Sequence, residues 1–219
     1  MSMNKNIITR MISAIVIGVI FAIAVFVFRP LFDIILYIIA IFMLIEWYNM
    51  TKDSLNYSLL GQIFIPIPIA ALLFLSYYDE SGWVLATYFC IIWSVDSMSM
   101  FGGKFIGGRK LAPTISPNKT ISGLLCGIIS AVIIVNCLRS LSIYQLPEPL
   151  VLSPLKFTIY TVILAGAAQL SDLLISLFKR KFNIKDTGKI IPGHGGMLDR
   201  FDSIILTAPL LAIYLFGQF

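Results

Sequence analysis

Residues 176–203 read SLFKRKFNIKDTGKIIPGHGGMLDRFDS. This is the longest polar interruption in an otherwise apolar chain. It begins where one long apolar run ends and stops where the last one begins. It carries Lys179, Arg180, Lys181, Lys185, Lys189 and Arg200, the carboxylates Asp186, Asp199 and Asp202, the only histidine, His194, and the glycines 188, 193, 195 and 196. A plain linker between membrane spans needs no such inventory, whereas a site for a phosphorylated substrate and a metal does.

The runs on either side of it set the fold class. Of the 219 residues, 58% are hydrophobic and 12% charged, against about 25% charged in soluble domains. Apolar runs of roughly 18 residues or more read as transmembrane helices. Lipid leaves backbone polar groups no outside partner, which favours helices, and continuous rather than alternating apolar runs exclude a β-barrel. The expected fold is an all-α, polytopic helical bundle of about seven spans: Met11–Phe28, Leu31–Tyr48, Leu59–Tyr77, Trp83–Phe101, Ile121–Leu138, Phe157–Phe178 and Ser203–Phe219. Pro66 and Pro68 predict a break or kink in the third. Only Arg29-Pro30 separate the first two, which predicts a tight helical hairpin. The charged N-terminus followed by an apolar run is signal-peptide-like, but without an A-x-A site it reads as a retained first span. No internal repeat is visible. Cys90, Cys126 and Cys137 lie in apolar runs without metal-ligand spacing and read as small buried hydrophobes.

The connections alternate in charge. Thirteen Lys and Arg fall on one side, Lys104, Arg109, Lys110, Lys119 and Lys179 to Arg200 among them. Only Arg29, Arg139 and Lys156 fall on the other. The positive-inside rule then puts the N-terminus and both basic loops, residues 102–120 and 179–202, in the cytoplasm, with the protein in the cytoplasmic (inner) membrane. The net charge of +5 sits in these short loops and is not a nucleic-acid signal. The chain divides into N-terminal spans, 1–91, and a membrane region that carries both basic loops, 92–219.

Three carboxylates fall within spans, where charge is costly and functional by default. Asp172 shares a helix face with Gln169 and Ser176, and Asp96 shares one with Ser99 and Gly103. Both are expected to face a polar cleft. Glu46 is expected to make an interhelical hydrogen bond that only holds helices together. In the first basic loop, FGGKFIGGRKLAPTISPNKTISG (Phe101–Gly123), paired glycines allow an anion-binding concavity, and the following helix N-terminus favours anions. The Lys179-Arg180-Lys181 run is also readable as a lipid anchor. Asp199 and Asp202, three apart, would share one face of a helical turn and suit a hard divalent cation. Such a cation takes one or two carboxylates plus substrate phosphates. The bland alternative for Asp202 is a helix N-cap. His194 alone makes no convincing zinc site.

These motifs resemble a known family. The run from Ser176 through Lys179-Arg180, Lys185-Asp186, Gly188, Pro192-Gly193-His194-Gly195-Gly196 and Asp199-Arg200-x-Asp202 is similar to the C-terminal signature of phosphatidate cytidylyltransferases, or CDP-diacylglycerol synthases. Asp96, Gly102, Gly103, Gly107, Leu111, Pro113, Ser116, Pro117, Lys119, Thr120 and Gly123 fall in register with the family's preceding block. The resemblance covers about Ile92 to the C-terminus. Ser122 and Ile175 stand where the family usually has glutamate, and Ser171 where it has glycine. If either glutamate helps to bind metal or substrate, this chain manages with fewer acidic groups.

The resemblance implies transfer of CMP from CTP to phosphatidate, giving CDP-diacylglycerol and pyrophosphate in phospholipid biosynthesis. It implies Mg²⁺, with room for a second cation. Asp172, Lys185, Asp186, His194, Asp199, Arg200 and Asp202 are the expected catalytic residues. Lys104, Arg109, Ser116, Lys119, Thr120, Lys179, Arg180, Gly195 and Gly196 are expected to bind substrate, and Asp96, Asp172, Asp199 and Asp202 to hold metal. Expected partners are CTP, phosphatidate, membrane lipids and a second copy of the chain, with no nucleic acid. The alternatives are an enzyme acting on another lipid phosphate and a transporter, whose intramembrane carboxylates would lie at the midplane.

Overall fold

The computed structural model describes residues 18–141, 143–146, 154–188 and 195–217. It is a helical bundle: α1 (Arg29–Thr51), α2 (Leu55–Phe64), α3 (Pro66–Tyr78), α4 (Trp83–Phe105), α5 (Ile121–Arg139), α6 (Pro154–Lys181) and α7 (Ile204–Phe216). Residues 18–26 are also helical. The protein is an integral membrane protein by these long apolar helices.

Among the described residues, five helical stretches rather than seven are long and apolar enough to cross a membrane, α2 and α3 counting as one. Residues 11–17 of the expected first span lie outside the described residues, and 18–26 of it are helical. The expected seventh is a helix of 13 residues, Ile204–Phe216, since Ser203 still belongs to the turns before it and Gly217 is a turn. At 1.5 Å per residue it is about 20 Å long, short of a hydrocarbon core of about 30 Å.

The expected break in the third span falls at Ile65. Its N–H still bonds Gly61 O at 3.1 Å. Pro66 and Pro68 lack the amides that would continue the ladder, so α2 ends and α3 starts on proline.

Helices in lipid gain little from apolar burial against one another and pack through small residues. The α4–α5 seam shows it. A Cβ on Gly123 would lie 2.5 Å from Ser99 O, and one on Gly127 2.2 Å from Ser99 Oγ. Trp47 is buried under the same rule, since a Cβ on Gly61 would meet its ring at 2.1 Å. Trp47 Nε1 donates to Tyr57 O at 2.7 Å, and its ring meets Phe178 edge-on at 5.0 Å. Leu125, Ile129 and Ile133 of α5 are exposed, as suits a lipid-facing stripe.

The sequence reading contained no strands. The first basic loop instead folds as an antiparallel ribbon of β1 (Lys110–Ala112) and β2 (Ser116–Thr120), pairing Lys110 with Thr120 and Ala112 with Ser116. Pro113 follows Ala112 in a turn closed by Ile115 N to Ala112 O at 3.2 Å, a position that suits its fixed φ. Gly107 and Gly108, at φ +68° and +99°, bend the chain from α4 into the ribbon in a conformation glycine adopts without strain.

Candidate active site

The C-terminal ends of α4 and α6 and the N-terminal ends of α5 and α7 meet at one end of the bundle, because successive spans alternate in direction. The ribbon and the segment before α7 complete a cavity of about 630 Å³ there, within the range of ligand pockets.

Each wall contributes polar groups for a local reason. From α4 come Asp96, Ser99 and Lys104, spaced so that they share a face. Ser99 Oγ is buried with no hydrogen-bond partner among the described residues. From the ribbon come Lys110, Ser116, Asn118 and Lys119. Thr120 caps α5, its Oγ1 accepting from Gly123 N at 3.1 Å, so the positive end of that helix faces the cavity. Gln169 and Asp172 come from α6, and Asp199, Arg200 and Asp202 from the turns before α7.

Asp172 Oδ2 pairs with Lys119 Nζ at 2.6 Å, and its Oδ1 accepts from Ser176 Oγ at 3.2 Å. Lys119 also donates to Gln169 O at 3.4 Å. Ser203 Oγ donates to both oxygens of Asp96, at 3.3 and 3.4 Å. Asp202 is not an N-cap. Ser203 occupies that position and makes no side-chain cap bond, while Asp202 Oδ1 accepts from the adjacent Ser203 amide at 2.8 Å. Burial, then the carboxylates of Asp172 and Asp96, push the Asp202 carboxyl well above the ordinary carboxylate range.

Asp199 lines the same cavity but is engaged elsewhere. Its Oδ1 pairs with Lys179 Nζ at 2.7 Å, and its Oδ2 accepts from Thr187 N at 2.8 Å and Gly196 N at 3.0 Å. Burial alone would raise its carboxyl, but the Lys179 bond and the two amides outweigh burial and hold it below the ordinary range. The expected shared helical face of Asp199 and Asp202 is absent, because residues 198–203 form turns and bends. No group of three His, Cys, Asp or Glu among the described residues is arranged as a metal cage. A cation held here would therefore draw on substrate oxygens as well as one or two carboxylates.

Asp96, Asp172, Asp199, Asp202, Lys104, Ser116, Lys119, Thr120 and Arg200 of the expected set thus line one cavity. Lys179 reaches Asp199, and Arg180 donates to Ile115 O at the ribbon turn at 3.2 Å. Lys181 sits 4.1 Å over the ring of Tyr57. The three-residue basic run therefore has protein partners throughout. Arg109, Lys185 and Asp186 are exposed and lie outside the cavity lining. Gly195 and Gly196 shape the turn around Asp199. His194 lies outside the described residues. Asn118 and Lys110 join the lining; Lys110 was legible only as loop charge, and Asn118 carried no signal.

The three departures from the family pattern have clear places. Ser122 Oγ donates to Gly107 O and bonds Thr120 Oγ1 at 2.9 Å, tying the ribbon's base. Ile175 is fully buried in the apolar core. Ser171 Oγ donates to Asp202 O and accepts from Leu206 N at 3.3 Å, fastening α6 to the start of α7.

Glu46 does not hold helices together. It is 2% exposed. Its Oε2 accepts from Thr187 Oγ1 at 2.9 Å and Leu198 N at 2.8 Å, and its Oε1 from Met197 N at 2.8 Å. All three donors belong to the second basic loop.

Residues 52–217 match the model of the cytidylyltransferase family. The chain is 51% identical over 208 residues to a phosphatidate cytidylyltransferase of Rickettsia bellii (strain RML369-C), covering 95% of this chain and 90% of that protein. It is 52% identical over 208 residues to the Rickettsia felis (strain ATCC VR-1525 / URRWXCal2) protein of the same name, covering 95% and 92%. With the Bacillus subtilis (strain 168) protein of that name it shares 38% over 162 residues, 74% of this chain and 58% of that one. Its sequence and the cavity built from both basic loops agree: this chain belongs to the cytidylyltransferase family.

Proposed function

We propose that the protein transfers CMP from CTP to phosphatidate, giving CDP-diacylglycerol and pyrophosphate. The observation that carries this reading is the cavity itself, in which loop cations and span carboxylates meet at one end of the bundle. A transporter's site near the midplane fits that placement less well.

The nucleophile is a phosphomonoester oxygen, largely ionised at neutral pH because the second pKa of such groups is about 6. It attacks the α-phosphorus of CTP. A P–O bond forms, the bond to the bridging α,β-oxygen breaks, and pyrophosphate leaves with that electron pair. No strong base is required. The difficulty is bringing two polyanions together, which positioned cations solve by electrostatics and orientation. Lys104, Lys110, Lys119 and Arg200 line the cavity for that role, and the N-termini of α5 and α7 add positive dipole ends.

The donor set fits a hard divalent cation such as Mg²⁺. Asp96, Asp172 and Asp202 line the cavity together, with Lys119 paired to Asp172. One or two of those carboxylates, with substrate oxygens, would hold the ion, which when bound neutralises phosphate charge. Asp199, tied to Lys179, shapes the loop beside it. Catalytic assignments for Lys185, Asp186 and His194 rest on the family motif alone. The thirteen-to-three charge bias supports an N-terminus and both loops in the cytoplasm, in the inner membrane. Acyl chains would stay in the bilayer while the headgroup enters the cavity.

Purified protein assayed for CTP-dependent pyrophosphate release, with and without phosphatidate, tests the reading. Release that requires phosphatidate is expected. Release independent of any lipid phosphate, or none at all, overturns it.

A further inference from the structure

Glu46 lies in α1, six residues before the stretch that matches the family, yet its contacts reach 141 to 152 residues ahead. A buried carboxylate is costly unless it is paired or fully hydrogen-bonded. Among the described residues no ion pair reaches Glu46. Its charge is met by two main-chain amides and one hydroxyl. Space is reserved for this arrangement. A Cβ on Gly188 would lie 2.4 Å from Glu46 Oε1, and one on Gly196 would lie 2.5 Å from Oε2. Neither glycine has positive φ, so close approach and not backbone freedom demands them.

The contact set forms a double clamp with Asp199. Thr187 gives its hydroxyl to Glu46 and its amide to Asp199. On the far side of the loop, Gly196 gives its amide to Asp199, while Met197 and Leu198 give theirs to Glu46. Two carboxylates thus fasten both ends of the loop together. Glu46 is itself anchored, because the adjacent Trp47 locks α1 against Tyr57 and against Phe178 near the end of α6. Arg200 and Asp202 follow the clamped residues within four positions and line the cavity.

We infer that Glu46 is a positioning residue for the reaction. From a membrane helix it sets the place of Arg200 and Asp202 by holding the amides of Met197 and Leu198 and the hydroxyl of Thr187. The inference rests on the proposed cytidylyl transfer for its kinetic part only. Lys104, Lys110 and Lys119 are not held by Glu46, so three of the four cavity cations keep their places without the clamp. Loss of the clamp therefore acts on turnover and on cation dependence more than on the KM for CTP.

The test uses the full chain in nanodiscs and the variants Glu46→Gln and Thr187→Val. Gln keeps one acceptor oxygen and turns an N–H₂ toward an N–H donor. Thr187→Val removes a single donor and serves if Glu46→Gln fails to assemble. Hydrogen exchange at the amides of Met197 and Leu198 is expected to speed up in Glu46→Gln. In both variants kcat is expected to fall about 10–100-fold, the range for residues that orient ligands. The Mg²⁺ concentration for half-maximal rate should rise, while the KM for CTP stays within about twofold. A residue that only supported the fold would lower the yield of assembled protein and leave Mg²⁺ dependence unchanged. Unchanged amide exchange in Glu46→Gln, or unchanged kcat and Mg²⁺ dependence in assembled variants, overturns the inference. If the wild-type protein releases no pyrophosphate from CTP, the proposed function fails instead, and the exchange result still decides whether the clamp exists.

Discussion

Lys119 Nζ stands 2.6 Å from Asp172 Oδ2, joining the ribbon to α6 across the cavity. The pair brings the cation of one basic loop onto the half-buried acid of a span. Its partners are 16% and 29% exposed, so solvent screening makes it a modest source of stability. Lys119→Ala is expected to leave the bundle assembled and raise the KM for CTP about tenfold or more, since a hydrogen bond to a charged group contributes about 1.5–3 kcal/mol. Steady-state kinetics at saturating phosphatidate checks this; an unchanged KM removes Lys119 from nucleotide binding.

Asp202→Asn separates stability from activity. Asn keeps an oxygen for the Ser203 amide and removes a charge facing Asp172 and Asp96. Ionised Asp202 strains the metal-free fold, because its carboxyl is raised by burial and by those neighbours. The variant is expected to unfold at a higher temperature without divalent cation, yet to lose more than about a hundredfold in kcat, beyond the 10–100-fold of supporting residues. Thermal unfolding in detergent and the turnover assay report the two effects. Normal turnover at low Mg²⁺ would refute a metal role for Asp202.

Asp199 sets an acid limit on stability. Its folded carboxyl titrates below the ordinary value, which is about 3.9 in an unfolded chain. Its contribution is therefore present above about pH 4 and lost as pH falls through the folded pKa. At pH 7 Asp199→Asn should unfold more easily than wild type, and the gap should narrow in acid. Unfolding midpoints across pH 3–7 test it; a constant gap would show that the Lys179 pair contributes nothing.

Topology is testable directly. In protein lacking Cys90, Cys126 and Cys137, a single cysteine at Lys104 or Lys185, both exposed, should resist impermeant reagents applied outside intact cells. It should react once the membrane is opened. Labelling of Lys185→Cys from outside would reverse the proposed orientation.

Period and composition alone determined that this chain is a helical membrane protein. Apolar runs of span length, Pro66-x-Pro68 and the alternation of Lys and Arg are local properties that lipid converts directly into helices, a break and an expected orientation. The motif residues around Asp96, Lys119 and Asp199 to Asp202 were also legible, since type and spacing carry their chemistry. Tertiary structure alone divided the work among them. Asp199 and Asp202 look alike in sequence, but one faces Lys179 and two amides while the other is buried against two carboxylates. Glu46 was misread for the same reason. Its donors are loop amides more than 140 residues away, and backbone amides leave no mark in a sequence. The ribbon stayed hidden because Pro117 and short polar strands carry no alternation. It forms where the helix ends bring it, and the cavity exists only once α4, α5, α6 and α7 converge on one end of the bundle.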